Sequence, residues 1–87
     1  MNKIEMYTTA ICPYCVAAKS MLKAKGLGYS EIRIDADDSK REEMLARSGG
    51  RRTVPQIFIN DQYVGGHDDL VAADRSGRLA QLLGNSA

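Results

Sequence analysis

At 87 residues the chain has room for one domain, residues 1–87, built on a single core. Hydrophobic residues make up 44% and charged residues 26%, which excludes a disordered or collagen-like chain, and no apolar run approaches the roughly 18 residues of a membrane span. Twelve basic against eleven acidic residues leave a net charge of +1, too little for the basic face of a nucleic-acid binder. The first residues lack the apolar run of a secretory signal, so none is expected.

Lys3-Ile4-Glu5-Met6-Tyr7 alternates, with Ile4 and Met6 on one face, and reads as a strand. Residues 8–11 lead into Cys12, and Pro13 suits the first position of a helix, where its missing N–H is no loss. Ala17, Ala18, Met21 and Leu22 recur at helical spacing, and Gly26 stops the helix after about Lys25. Tyr29 to Ile34 is a second strand, with Ile32 and Ile34 on one face. Residues 35–38 form a polar turn, and Ser39-x-x-Glu42 matches a capping box, so the next helix is expected to begin there. Met44 and Leu45 are its apolar anchors and Gly49-Gly50 its end. Gln56-Ile57-Phe58-Ile59 and Gln62-Tyr63-Val64 flank Asn60-Asp61 as a hairpin, with Ile57, Phe58 and Ile59 as core candidates. Gly65-Gly66 break the chain before a helix that opens at His67-Asp68-Asp69 and ends near Gly77. Leu79, Leu82 and Leu83 mark a short last helix stopped at Gly84. The order β-α-β-α-β-β-α-α makes this an α/β chain with a mixed four-stranded sheet flanked by helices.

Cys12 and Cys15 are the only cysteines. A bridge between them closes almost no loop and removes little unfolded-chain entropy, so chemistry explains the pair better than stapling does. With His67 the chain has three Cys/His groups, short of the usual four ligands of structural zinc, and no metal is expected. A lone C-x-x-C also points to a reducing compartment, the cytosol. In Cys12-Pro13-Tyr14-Cys15 the first cysteine lies at a helix start, beside orphan N–H groups and the positive end of the helix dipole. That setting favours its thiolate. Cys15, one turn in, is expected to be more buried. Cys12 is therefore the expected nucleophile and Cys15 the resolver.

Tyr7-Thr8, Cys12-Pro13-Tyr14-Cys15, Thr53-Val54-Pro55, Gly65-Gly66 and Asp68-Asp69-Leu70, in that order and spacing, resemble the dithiol glutaredoxins. The similarity is greatest to the small bacterial glutaredoxin 3 type, through Lys40-Arg41-Glu42-Glu43-Met44 and Val54-Pro55-Gln56-Ile57-Phe58-Ile59. It runs from about Ile4 to Leu83.

The resemblance implies a thioredoxin-like fold and a glutathione-dependent thiol–disulfide oxidoreductase. Its partners are glutathione, as co-substrate, and disulfide-containing or glutathionylated proteins. It would act as a monomer, with no nucleic acid or membrane partner. It implies a cis bond before Pro55, and a glutathione backbone paired with Val54 beside Thr53 and Cys12. The γ-glutamyl carboxylate would sit on the backbone of His67 and Asp68, where Gly66 allows close approach, with Asp68 or Asp69 receiving the ammonium group. Tyr14 is expected to be exposed between the cysteines, either packed on the bound peptide or simply covering the dithiol. Relatives carry Lys where this chain has Thr9, which donates a hydrogen bond but no charge; Arg41, Arg51 or Arg52 are the substitutes. His67, where relatives often have Cys, reads as an exposed filler of the helix start. Against an iron–sulfur scaffold stands Cys12-Pro13-Tyr14-Cys15 in place of Cys-Gly-Phe-Ser. Against thioredoxin stands the absence of Trp. A glutaredoxin-like protein served by thioredoxin reductase stays open, because of Thr9.

Overall fold

The computed structural model describes residues 2–84. Its elements are β1 (Ile4–Thr8), α1 (Pro13–Ala24), β2 (Ser30–Arg33), α2 (Asp38–Arg47), β3 (Gln56–Ile59), β4 (Gln62–Gly65), α3 (His67–Ser76) and α4 (Arg78–Leu82). The order matches the sequence reading. The strands form one four-stranded sheet in the order β2-β1-β3-β4. β1 pairs parallel with β2, as a helical crossover allows, and antiparallel with β3; β3 pairs antiparallel with β4. Asn60 and Asp61 both have positive φ, 51° and 67°, the backbone of a two-residue hairpin turn whose twist matches its strands.

β1 and β3 lie in the middle of the sheet and bury both faces. Ile4, Met6, Ile57 and Ile59 pack with Ala18, Leu22, Val64, Leu70, Ala73, Leu79 and Leu82 under α1, α3 and α4. The other face holds Tyr7, Ile34, Met44 and Phe58 under α2, with Ile32 and Leu45 at its margin. Met21 is only half-buried against the first cluster.

This second layer contains a polar group that alternation does not reveal. Tyr7 is wholly buried, and its ring meets Phe58 edge-on at 5.7 Å. Its hydroxyl donates to Glu43 Oε1 at 2.9 Å and accepts from Arg47 Nη1 at 2.8 Å. Arg47 also donates to Glu5 Oε1 at 3.0 Å, and its guanidinium lies 4.0 Å from the Phe58 ring centroid.

One helix start differs from expectation. α2 is capped by Asp37, whose carboxylate accepts from Ser39 N at 2.9 Å and from the Ser39 hydroxyl at 2.7 Å. The Ser39-x-x-Glu42 pattern is therefore not the cap. A carboxylate accepts more strongly than a hydroxyl, so the helix takes the earlier acidic residue and draws Ser39 into its first turn.

Candidate redox and peptide-binding site

The site is assembled from three chain corners. The first is the loop from β1 into α1. There Ala10 N donates to Asp35 Oδ2 at 3.0 Å, and Arg33 grips the same carboxylate at 2.7 and 2.8 Å. Cys12 follows as the N-cap of α1, with φ −155° and ψ 99°, and its Sγ accepts from Cys15 N at 3.1 Å. A sulfur thus satisfies one of the orphan donors of the helix start. Cys12 and Cys15 are joined as a disulfide, with Cα atoms 5.2 Å apart. Cys12 keeps 9% exposure and Cys15 1%. The helix-start cysteine is the more accessible, as the motif implied, but it is nearly covered rather than open.

The second corner is Thr53-Val54-Pro55, where the Val54–Pro55 peptide bond is cis, as the family pattern implied. Val54 O lies 3.7 Å from Cys12 Sγ, which sets this wall against the sulfur.

The third corner joins β4 to α3. Gly65 has φ +121°, a conformation that side-chain-bearing residues rarely adopt, and Gly66 is the N-cap of α3. Asp69 Oδ2 accepts from Gly66 N at 2.9 Å. Asp69 is thereby engaged in closing the helix start, while the side chain of Asp68 is 97% exposed. Of the two acids, only Asp69 is bonded to the helix start.

These corners enclose a cleft of about 330 Å³ lined by Tyr14, Arg51, Thr53, Val54, Pro55, Gly66, His67, Asp68 and Asp69. Eight of these are residues the sequence reading placed in one site, and the ninth, Arg51, is one of its three candidates for the cation that Thr9 lacks. Thr9 and Arg41 do not line the cleft. Thr9 turns its hydroxyl to Ile11 O at 3.4 Å, and Arg41 lies exposed on α2. His67 is not the exposed residue expected. Its side chain is 23% exposed, and its ring centroid lies 6.1 Å from that of Tyr14. His67 Nδ1 is buried without a hydrogen bond, 3.5 Å from Asp68 Oδ1. Around Cys12 the surface is apolar: Ile11 is 91% exposed, Tyr14 62% and Val16 59%.

The comparisons with known proteins agree with this geometry. The glutaredoxin family model matches residues 4–64. Glutaredoxin 3 of Escherichia coli (strain K12) is 53% identical over 83 residues, covering 95% of this chain and 99% of that one. The chain belongs to the glutaredoxin family. The solution structure of a glutaredoxin from Brucella melitensis superposes with a TM-score of 0.79 at 47% identity, over 93% of this chain and 87% of that one. A crystal structure of a buckwheat glutaredoxin–glutathione complex superposes with a TM-score of 0.84 at 29% identity, over 97% of this chain and 78% of that one. The fold of this glutaredoxin is accordingly thioredoxin-like, and its activity is that of the family, glutathione-dependent thiol–disulfide oxidoreduction. Among the described residues no helix is long and apolar enough to cross a membrane, and no group of three or more His, Cys, Asp or Glu side chains stands close enough to hold a metal ion.

Two residues that stand behind Thr53, Gln56 and Tyr63, were not read as site candidates. Gln56 is fully buried although it stands at the head of an apolar strand. The signal was present: Gln56 shares a strand face with Phe58, and a polar residue at such an inward position needs a hydrogen-bond partner.

Proposed function

We propose that Cys12 is the attacking thiolate and Cys15 the resolving thiol of an exchange acting on glutathionylated proteins and on protein disulfides. The observation that carries this reading is the start of α1, where the Cys12 sulfur accepts the Cys15 N–H and keeps the greater exposure. Backbone N–H groups and the helix dipole stabilise a sulfur anion at Cys12. The Cys12 thiolate attacks the glutathione sulfur of a mixed disulfide. A Cys12–glutathione bond forms, the old S–S bond breaks, and the protein leaves as a thiolate that takes up a proton. A second glutathione thiolate then attacks the glutathione sulfur bound to Cys12, releasing oxidised glutathione and the Cys12 thiolate. For a protein disulfide, Cys12 attacks one substrate sulfur and the Cys15 thiolate resolves the intermediate. The Cys12–Cys15 disulfide that results is reduced by two glutathiones.

In this reading glutathione lies extended along Val54, its backbone paired as an added strand would be. Its γ-glutamyl carboxylate rests on the α3 N-terminus at Gly66, His67 and Asp68, and Asp68 meets the ammonium group. Tyr14, Thr53 and Pro55 complete the walls. Asp69 acts by shaping the corner. Arg51, which lines the cleft, supplies the cation that Thr9 lacks. Exposed Ile11, Tyr14 and Val16 give a protein substrate an apolar surface beside the sulfur. The buckwheat relative solved as a glutathione complex supports the ligand assignment. Residues 1–87 act as one domain and as a monomer. A lone C-x-x-C favours the reducing cytosol as its place of work.

The test is a pair of variants on a glutathionylated peptide with glutathione and glutathione reductase. Cys12→Ser is expected to abolish turnover. Cys15→Ser is expected to retain it, because free glutathione resolves the intermediate. Glutathionylating Cys15→Ser is expected to shift the Val54 and Asp68 amide resonances most. Activity that survives in Cys12→Ser and vanishes in Cys15→Ser would reverse the assignment.

A further inference from the structure

Gln56 is fully buried, and both ends of its amide are engaged. Nε2 lies 2.9 Å from Thr53 O and 3.0 Å from Thr53 Oγ1, while Oε1 receives the Tyr63 hydroxyl at 2.6 Å. The amide can face only one way. A backbone carbonyl only accepts, so the nitrogen must face Thr53, and the carbonyl end is left for the Tyr63 proton. An amide nitrogen has no lone pair to offer, so Thr53 Oγ1 can only accept from it. The one hydroxyl proton of Thr53 is therefore turned away from Gln56. Among the described residues no acceptor takes it, and Thr53 is exposed on the cleft wall.

We infer that Gln56, held by Tyr63, is a positioning residue that makes the Thr53 hydroxyl a donor into the cleft and so sets the preference for glutathionyl substrates. The inference rests on the glutathione reading given above. The chemistry suits the ligand, since glutathione has two carboxylates and two peptide carbonyls, all acceptors. The relay is a fixed one. Gln56 is buried on a central strand and Tyr63 is half-buried on the neighbouring one, so the hydroxyl is oriented before the ligand arrives.

The experiment compares two disulfides of one peptide, linked either to glutathione or to 2-mercaptoethanol. Their single-turnover reaction with the reduced protein is followed by stopped flow. Thr53→Val is expected to slow the glutathionyl peptide about three- to ten-fold, one hydrogen bond's worth, and to leave the mercaptoethanol peptide within about two-fold. Gln56→Met is expected to do the same, and the double variant to be no slower than either single one. Tyr63→Phe, which removes the proton that steadies the carbonyl end of the amide, is expected to slow the glutathionyl peptide about two-fold, and it carries the same cycle with Thr53→Val should Gln56→Met fail to fold. Equal slowing of both peptides in the Gln56 and Tyr63 variants would make the pair merely structural and overturn the inference. So would losses that multiply in the double variant, or a silent Thr53→Val. A wild-type protein with no preference for the glutathionyl peptide would instead overturn the binding reading itself, and the inference with it.

Discussion

Gly65→Ala tests how the third corner of the site is built. At φ +121° a side chain is strained, at a cost of about 1–3 kcal/mol. The space is also taken: a Cβ at Gly65 would stand 2.7 Å from Asp69 Cγ and 2.8 Å from Asp69 Cβ. Asp69 is held there by the bond from Gly66 N, so an added methyl pushes its carboxylate off the helix start. That loses a charge-assisted hydrogen bond at the surface, about 1 kcal/mol. Gly65→Ala should therefore destabilise by about 2–4 kcal/mol, or roughly 10–30 °C in Tm for a domain of this size. Asp69→Ala alone should cost about 1 kcal/mol, the lost bond only. In the double variant that bond is already gone, so the second substitution should add nothing. Urea denaturation of the wild type and the three variants measures the cycle. Fully additive losses, with the double variant about 1 kcal/mol below Gly65→Ala, would refute the claim that the glycine makes room for the Asp69 cap.

Two further outcomes concern charge. Lys19 and then Thr8 hold the Glu31 carboxyl below its usual value, the Tyr7 hydroxyl does so for Glu43, and Arg33 for Asp35. The unfolded chain therefore binds more protons in acid. The stability these groups contribute should be fully present above about pH 5 and fall as pH drops through about 4 and below, with a shallower acid limb in Glu31→Gln; a Tm that stays flat from pH 7 to 3 would contradict this. Arg51→Gln should raise the glutathione KM about two- to five-fold at low salt and less at high salt, Arg41→Gln should leave it unchanged, and Thr9→Lys should lower it; steady-state assays at two ionic strengths check all three.

Much of this molecule is legible along the chain because the forces involved are local. Alternation at Ile4 and Met6, helical spacing through Ala18 and Leu22, and Gly26 as a stop depend only on near neighbours, and each element lies within a residue or two of its expected place. The redox pair is equally local, since Pro13 and the spacing of Cys12 and Cys15 place both sulfurs on one helix turn. The Asp37 cap was misplaced because two capping patterns overlapped, and the stronger acceptor prevailed.

What depended on distant segments was less accessible. The resemblance left Arg41, Arg51 and Arg52 as equal candidates for the cation that Thr9 lacks, but only the packing of the segment before β3 against α3 brings Arg51 to the cleft. Asp68 and Asp69 are neighbours of one kind, yet the turn at Gly65 engages Asp69 in the helix cap and leaves Asp68 in solvent. Tyr7 reads as a strand residue with one apolar face, but burial on a central strand obliges its hydroxyl to find Glu43 and Arg47, 36 and 40 residues away. Gln56 is the same case at the site itself. A buried amide must satisfy both of its ends, and which groups do so is settled only when β3, β4 and the Thr53 loop come together.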